Sequence, residues 1–172
     1  MILEERYKGK DKTIFMQNLR GVARRLGIRP EWLLAVMWKE SRLEPGALNG
    51  STGASGLIQF MPATASGLGT SAEAIRQMDG SEQLHYVEKY LKPYKGRMDS
   101  YEDVYLAVFF PAGLGKADSW VLHSSALPAS VVAASNPAVD MDDDGQITVA
   151  EFRRYCYSGF TDAESAELKK KE

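Results

Sequence analysis

Apolar residues recur every three or four positions along most of this chain. No stretch sustains the alternation of apolar and polar residues that a half-buried strand requires. That regularity confines the fold to packed helices. The spacing of Ile14, Phe15, Leu19, Val22, Ala23 and Leu26 predicts a helix over Lys12–Leu26, stopped by Gly27. Pro30 suits the first turn of a second helix, which runs to about Ser41 and ends before Pro45 and Gly46. Further helices are expected over residues 56–60, from Pro62 onward, and over about 81–94, 100–110, 116–122 and 130–135. A last one starts near Val149, and the tail AESAELKKKE is a charged, solvated helix or a frayed end.

At 172 residues the chain has room for one good core, and a single domain over residues 1–172 is expected. With 44% hydrophobic and 26% charged residues, neither disorder nor a membrane protein is indicated. The opening MILEERYKGKDK is too charged for a secretory signal, so synthesis in the cytoplasm without a signal peptide is expected. A net charge of -2 gives no overall attraction to nucleic acid or to an anionic membrane, and neither is expected as a partner. The lone Cys156 allows no intrachain disulfide and, beside Phe152 and Tyr155, reads as a packing residue.

Within the second helix one residue is out of place. At 100° per residue from Leu33, Met37 falls at about 40°, Val36 at about 300° and Glu40 at about 340°, so Glu40 sits inside the apolar stripe. Glu31, Ala35, Lys39 and Arg42 occupy the opposite side. A carboxylate taken out of water has a raised pKa and suits proton donation to a leaving group, while a structural glutamate held by an amide or an arginine fits the position equally. The segment that follows, from Pro45 to Ala72, holds no Asp, Glu, Lys or Arg and is rich in Gly, Ser, Thr and Ala. Such a segment is a closely packed loop or the floor of a site.

A second motif lies near the C-terminus. DMDDDGQITVAE, residues 140–151, matches the EF-hand calcium loop at its diagnostic positions: Asp140, Asp142 and Asp144 as monodentate ligands, Gly145 at the sharp turn, the Gln146 carbonyl, and Glu151 as a bidentate ligand. Thr148 holds the position that often binds through water, and Ile147 the apolar one. A structural Ca2+ is expected. Asn136 and Pro137 interrupt any long entering helix, and no second loop is present to pair with this one.

ESRLEPGALNGSTGASGLIQFMPATASGLG resembles the signature of the lytic transglycosylases with a soluble-type, lysozyme-like catalytic domain. Its elements here are Glu40-Ser41, Gly53 to Gln59, Met61-Pro62 and Thr64-Ala65. The core motifs run over residues 26–120. The family's third motif, usually Ala-Tyr-Asn-Ala-Gly, is altered to AVFFPAGLGK, with Phe110 nearest the tyrosine. The resemblance implies an all-α, lysozyme-like domain of the goose-type lysozyme and transglycosylase kind. It further implies Glu40 as the catalytic residue, with Ser51, Gln59, Met61 and Phe110 as substrate contacts. The spacing from Glu40 to Gly53 is one residue longer than in the common pattern, which bears on Ser51.

The implied partner is the peptidoglycan glycan strand. Glu40 would protonate the oxygen of the N-acetylmuramic acid to N-acetylglucosamine bond and then deprotonate the C6 hydroxyl, giving a 1,6-anhydromuramic product. Two rival readings stand beside it. One is a hydrolytic muramidase in which Asp79, Asp99 or Asp103 positions water; the other is a non-catalytic module of a phage tail or of the cell wall. The altered third motif with a calcium loop downstream looks most like bacteriophage-encoded members, so a phage tail or virion is an expected context. Action on the cell wall or periplasm would follow release or delivery, and a monomer is expected. His85 and His123 show no metal-ligand spacing.

Overall fold

The computed structural model describes residues 1–172. Its regular structure is α1 (Lys12–Leu26), α2 (Pro30–Ser41), α3 (Pro62–Gly67), α4 (Ala72–Gln77), α5 (Gly80–Leu91), α6 (Tyr101–Phe109), α7 (Ala129–Ser135), α8 (Val149–Cys156) and α9 (Asp162–Leu168). There is no sheet, and extended pairing is limited to isolated bridges. The fold is therefore all-α, as the periodicity requires. No helix is long and apolar enough to cross a membrane. The chain divides into two compact units, residues 1–96 with 171–172, and residues 97–170.

In the first unit α1 lies along α5 and against α2. Phe15, Leu19 and Ala23 of α1 are buried, as are Leu84, Val87 and Leu91 of α5. Every residue of α2 from Trp32 to Met37 is buried. Ala35, which the helical wheel groups with polar residues, is among them, so α2 is apolar nearly all round. The N-terminal segment fastens α1 to α5. Tyr7 stacks on Phe15 at 3.9 Å and donates to Asp11 Oδ1 at 2.6 Å, while Asp11 Oδ2 accepts from the Ser81 amide at 2.9 Å and its hydroxyl at 2.6 Å. Burial and then the Asp11 bond raise the Tyr7 pKa, keeping the phenol a donor.

The uncharged segment folds back on itself. Gly56 N donates to Ala47 O at 2.9 Å, Asn49 N to Ala54 O at 2.8 Å and Gly53 N to Asn49 O at 2.8 Å. Residues 56–60, expected as a helix, instead form a turn closed by paired bonds between Ser55 and Phe60 at 3.0 and 2.8 Å. Gly56 and Gln59 both take positive φ, 81° and 57°, which a right-handed helix does not permit. The cause is tertiary. Gln83 of α5, 0% exposed, accepts from Leu57 N at 2.9 Å and donates to Pro45 O at 2.6 Å and Ile75 O at 2.9 Å. A Cβ on Gly56 would stand 2.6 Å from both Gln83 Oε1 and Ile75 Cγ2, so only glycine fits.

The second unit is built on aromatic packing. Phe152 of α8 stacks on Phe109 of α6 at 4.9 Å and meets Tyr105 edge-on at 5.2 Å; the buried Tyr101 hydroxyl donates to Cys156 O at 2.8 Å. Residues 116–122 are not the expected helix. A turn leads to an extended stretch in which Leu122 N donates to Ile147 O at 2.7 Å and Val149 N to Trp120 O at 2.9 Å. Pairing with residues 147–149 overrides local helical spacing there. The charged tail is ordered as α9, started by a Thr161–Glu164 capping box and anchored by buried Leu168.

Replacing Gln83 with Leu removes the bonds to an amide, Leu57 N, and to three carbonyls, those of Pro45, Ile75 and Met78, inside the first unit. We expect a loss of about 3 kcal/mol in urea unfolding, since each orphaned buried group costs roughly 1–3 kcal/mol. A loss below about 0.5 kcal/mol would show that the loop does not depend on this side chain.

Candidate active site

Glu40 occupies the last turn of α2 and is half-buried. Its surroundings are fixed by the residues beside it. The buried Ser41 hydroxyl bonds Met37 O at 2.9 Å and Leu57 O at 2.8 Å, joining the helix end to the Ser55–Phe60 turn. Immediately after it, Arg42 and Leu43 both adopt left-handed backbone, at φ 55° and 59°. Such conformations in non-glycine residues cost on the order of 1–3 kcal/mol each and persist only where neighbours enforce them. Arg42 is one of two guanidinium groups on Trp38, at 4.9 Å from the ring, with Arg6 at 4.6 Å.

The Ser55–Phe60 turn supplies the facing surface. Gln59 is partly exposed, with its side-chain amide donating to Gly56 O at 3.0 Å. Phe60 is buried and meets the Tyr90 ring edge-on at 6.4 Å. Tyr90 lies within electrostatic reach of Glu40. Burial, then Tyr94, then the Glu40 charge push its phenol well above the ordinary tyrosine range, so it is a neutral hydrogen-bonding group at any working pH. Tyr90 is not among the substrate contacts that the family resemblance implies.

The other expected contacts are placed as follows. Met61, at 46% exposed, is an open apolar side chain at the start of α3 rather than a buried wall. Ser51 is exposed on a loop tip where Asn49 Oδ1 accepts its amide at 2.9 Å. Phe110 belongs to the second unit, buried at the C-terminal end of α6. Among the carboxylates considered for holding water, Asp79 caps α5 by accepting from Glu82 N at 2.8 Å, and Asp103 accepts from Asp99 N at 3.0 Å. Both have structural employment.

A family model, the transglycosylase SLT domain, matches residues 17–130. The chain belongs to that family. The match takes in Glu40, the uncharged segment, Gln83 and the altered third motif. No curated protein matches the chain significantly. SLT domains are lytic transglycosylases that cleave glycosidic bonds in peptidoglycan, so this chain is a peptidoglycan-cleaving enzyme of lysozyme-like fold.

Beyond the SLT match lies the acidic loop. Asp140, Asp142, Asp144 and Glu151 each offer a carboxylate oxygen, all within 4.8 Å of one another. Asp140 is 7% exposed. Its Oδ2 accepts from Gly145 N at 3.0 Å, while its buried Oδ1 has no hydrogen-bond partner. Asp144 accepts from Gln146 N at 2.9 Å; Glu151 accepts from Met141 N and Thr148 N, each at 3.2 Å. Desolvation and then the charges of Asp144 and Glu151 raise the Asp142 pKa. Converging carboxylates with an orphaned buried oxygen fit a hard cation. The loop does have a pairing partner, which the sequence reading lacked: the 120–122 stretch joins it through the Val121–Thr148 bridge.

Ser41→Ala removes the bond to Leu57 O and is expected to destabilise the first unit by about 1–2 kcal/mol. Peptidoglycan cleavage should fall together with it, because the turn is no longer fastened to the Glu40 helix. Unchanged thermal unfolding and unchanged cleavage would contradict this role.

Proposed function

We propose that Glu40 is the catalytic acid and base of a lytic transglycosylase acting on the N-acetylmuramic acid to N-acetylglucosamine β-1,4 bond. Its carboxyl gives a proton to the glycosidic oxygen as the bond to C1 breaks, and the substrate's acetamido group stabilises the cation. The resulting carboxylate takes the proton of the C6 hydroxyl as that oxygen bonds C1. The product is a 1,6-anhydromuramic end, and no water is consumed. The observation that carries the reading is the locked junction of α2 and the Ser55–Phe60 turn around Glu40, whose uncharged loop offers no second carboxylate. Gln59 and Tyr90 are the polar groups we assign to sugar or glutamate, and Met61 to a sugar face. Ser51 and Phe110 remain in the proposed contact set on the family motifs alone.

We assign Ca2+ to the 140–151 loop as a structural ion held by Asp140, Asp142, Asp144, the Gln146 carbonyl and Glu151. The number of oxygen donors and the terminal glutamate support calcium. The altered third motif and the downstream loop support a bacteriophage-encoded protein, monomeric, that reaches the cell wall by release or on a tail.

Glu40→Gln is expected to abolish release of wall fragments while leaving the unfolding transition in place. Mass spectrometry of the wild-type products should give ends 18 mass units lighter than hydrolysed ones, the mass of the water not consumed. Reducing ends would establish a muramidase, and no products a binding module. Chelation should lower the melting temperature by on the order of 10 °C at calcium well above its Kd, and Asp144→Ala should erase that difference. A melting curve indifferent to chelator would remove calcium from the protein.

A further inference from the structure

A groove of about 870 Å3 runs between α1 and α5 in the first unit, and none of its lining residues belongs to the set around Glu40. It is lined by Arg20, Arg24 and Arg25 of α1 and by His85 and Glu88 of α5, over a floor of Val22 and Leu84. An adjoining hollow of about 270 Å3 shares Arg25 and Glu88 and adds Lys92 and Lys95. Five cations thus face one carboxylate along a continuous track. That carboxylate is already engaged: Glu88 is gripped by Arg25 in a fork with bonds of 2.9, 3.1 and 2.6 Å, which lowers its pKa. Asp11, bonded at the start of α5, is held by Tyr7 and Ser81. Arg20 has only a 3.5 Å contact to Glu4.

The track is basic although the protein is not. Residues 1–96 carry 14 Lys and Arg against 10 Asp and Glu, whereas residues 97–170 carry 6 against 12. The groove also contains a residue that helix formation disfavours. Gly21, in the interior of α1, costs roughly 1 kcal/mol relative to Ala. Close helix packing does not explain it, since a Cβ there would meet only the flexible end of Arg25, at 3.2 Å, and no other helix. What Gly21 does is leave the groove open beneath the arginines.

We infer that this groove binds a phosphodiester polymer of the kind carried on peptidoglycan, holding the enzyme on the wall away from its cleavage site. Cations spread along an extended track match an anion with repeating charge better than one isolated carboxylate; Arg20 to Arg25 alone spans about 7 Å of helix axis. A nucleic-acid strand fits less well, because apart from His85 the lining has no ring on which bases could stack. The inference rests on the peptidoglycan substrate of the family and not on Glu40 as the acid.

The test measures retention of the Glu40→Gln protein on purified cell walls with their phosphodiester polymer intact and on the same walls stripped of it. Polymer-bearing walls should bind about tenfold more tightly at low ionic strength, with the difference lost at ~0.3 M salt. Arg20→Glu with Arg24→Glu should erase the difference, as should Gly21→Glu made separately, and soluble poly(glycerol phosphate) should compete. Equal retention on the two walls, an unaltered preference in variants that melt normally, or better competition by single-stranded DNA would each overturn the inference. Because retention is read rather than lysis, a failed Glu40 assignment leaves the result interpretable.

Discussion

A loop without charged side chains can be buried only if its own backbone finds partners; here most of those bonds are made within the loop, and one side chain, Gln83, ties the result to α5. The Gln83 amide reaches from α5 to Pro45 at the start of that segment, to Leu57 in its middle and to Ile75 in α4 just beyond it. Desolvated amides and carbonyls are costly when unpaired, so this bonding decides whether the segment packs or frays. Once it packs, the Ser55–Phe60 turn has a fixed place, Ser41 can bond to Leu57, and Glu40 is held at the rim. The candidate acid therefore depends on a residue that takes no part in proton transfer.

The long amphipathic helices were readable because local spacing and tertiary packing agree. Lys12–Leu26 shows this most plainly: its predicted apolar face is the face that is buried, except for Ile14. Glu40 stands in the apolar stripe and opens the Glu-Ser signature, and the structure leaves it half-buried at the end of α2. The errors fall where a distant partner outweighs local pattern. Leu57, Ile58 and Phe60 imitate a helical turn, yet Gly56 packs against Gln83 and forces a positive φ. Trp120 to Leu122 likewise belong to a pairing with residues 147–149, which spacing within 116–122 cannot reveal. Nothing in the local sequence singles out Gln83. Only the fold shows that its position is interior.

Net charge averages over units of opposite sign. A total of -2 combines a basic N-terminal unit with an acidic C-terminal one that carries the Asp140–Glu151 cluster. Fields act over about a Debye length, roughly 10 Å at 0.1 M salt, so a partner meeting the α1–α5 groove responds to the local arginines and not to the sum.

The acidic loop is tied to the rest of its unit by backbone pairing. In an EF-hand pair the residue at the Ile147 position joins the two loops through backbone bonds; here Ile147 O accepts from Leu122, and Thr148 bridges Val121. The extended 120–122 stretch takes the place of the absent second loop. That stretch follows directly on the altered third motif, and Gly113 of that motif packs so closely on Leu122 that a Cβ would lie 3.1 Å from its side chain. α8, which begins at the loop's end, stacks Phe152 on Phe109 of the same motif. A cation that rigidified the loop would thus act on residues 109–113 through both contacts. Without one, the mutual repulsion of four carboxylates works against both contacts.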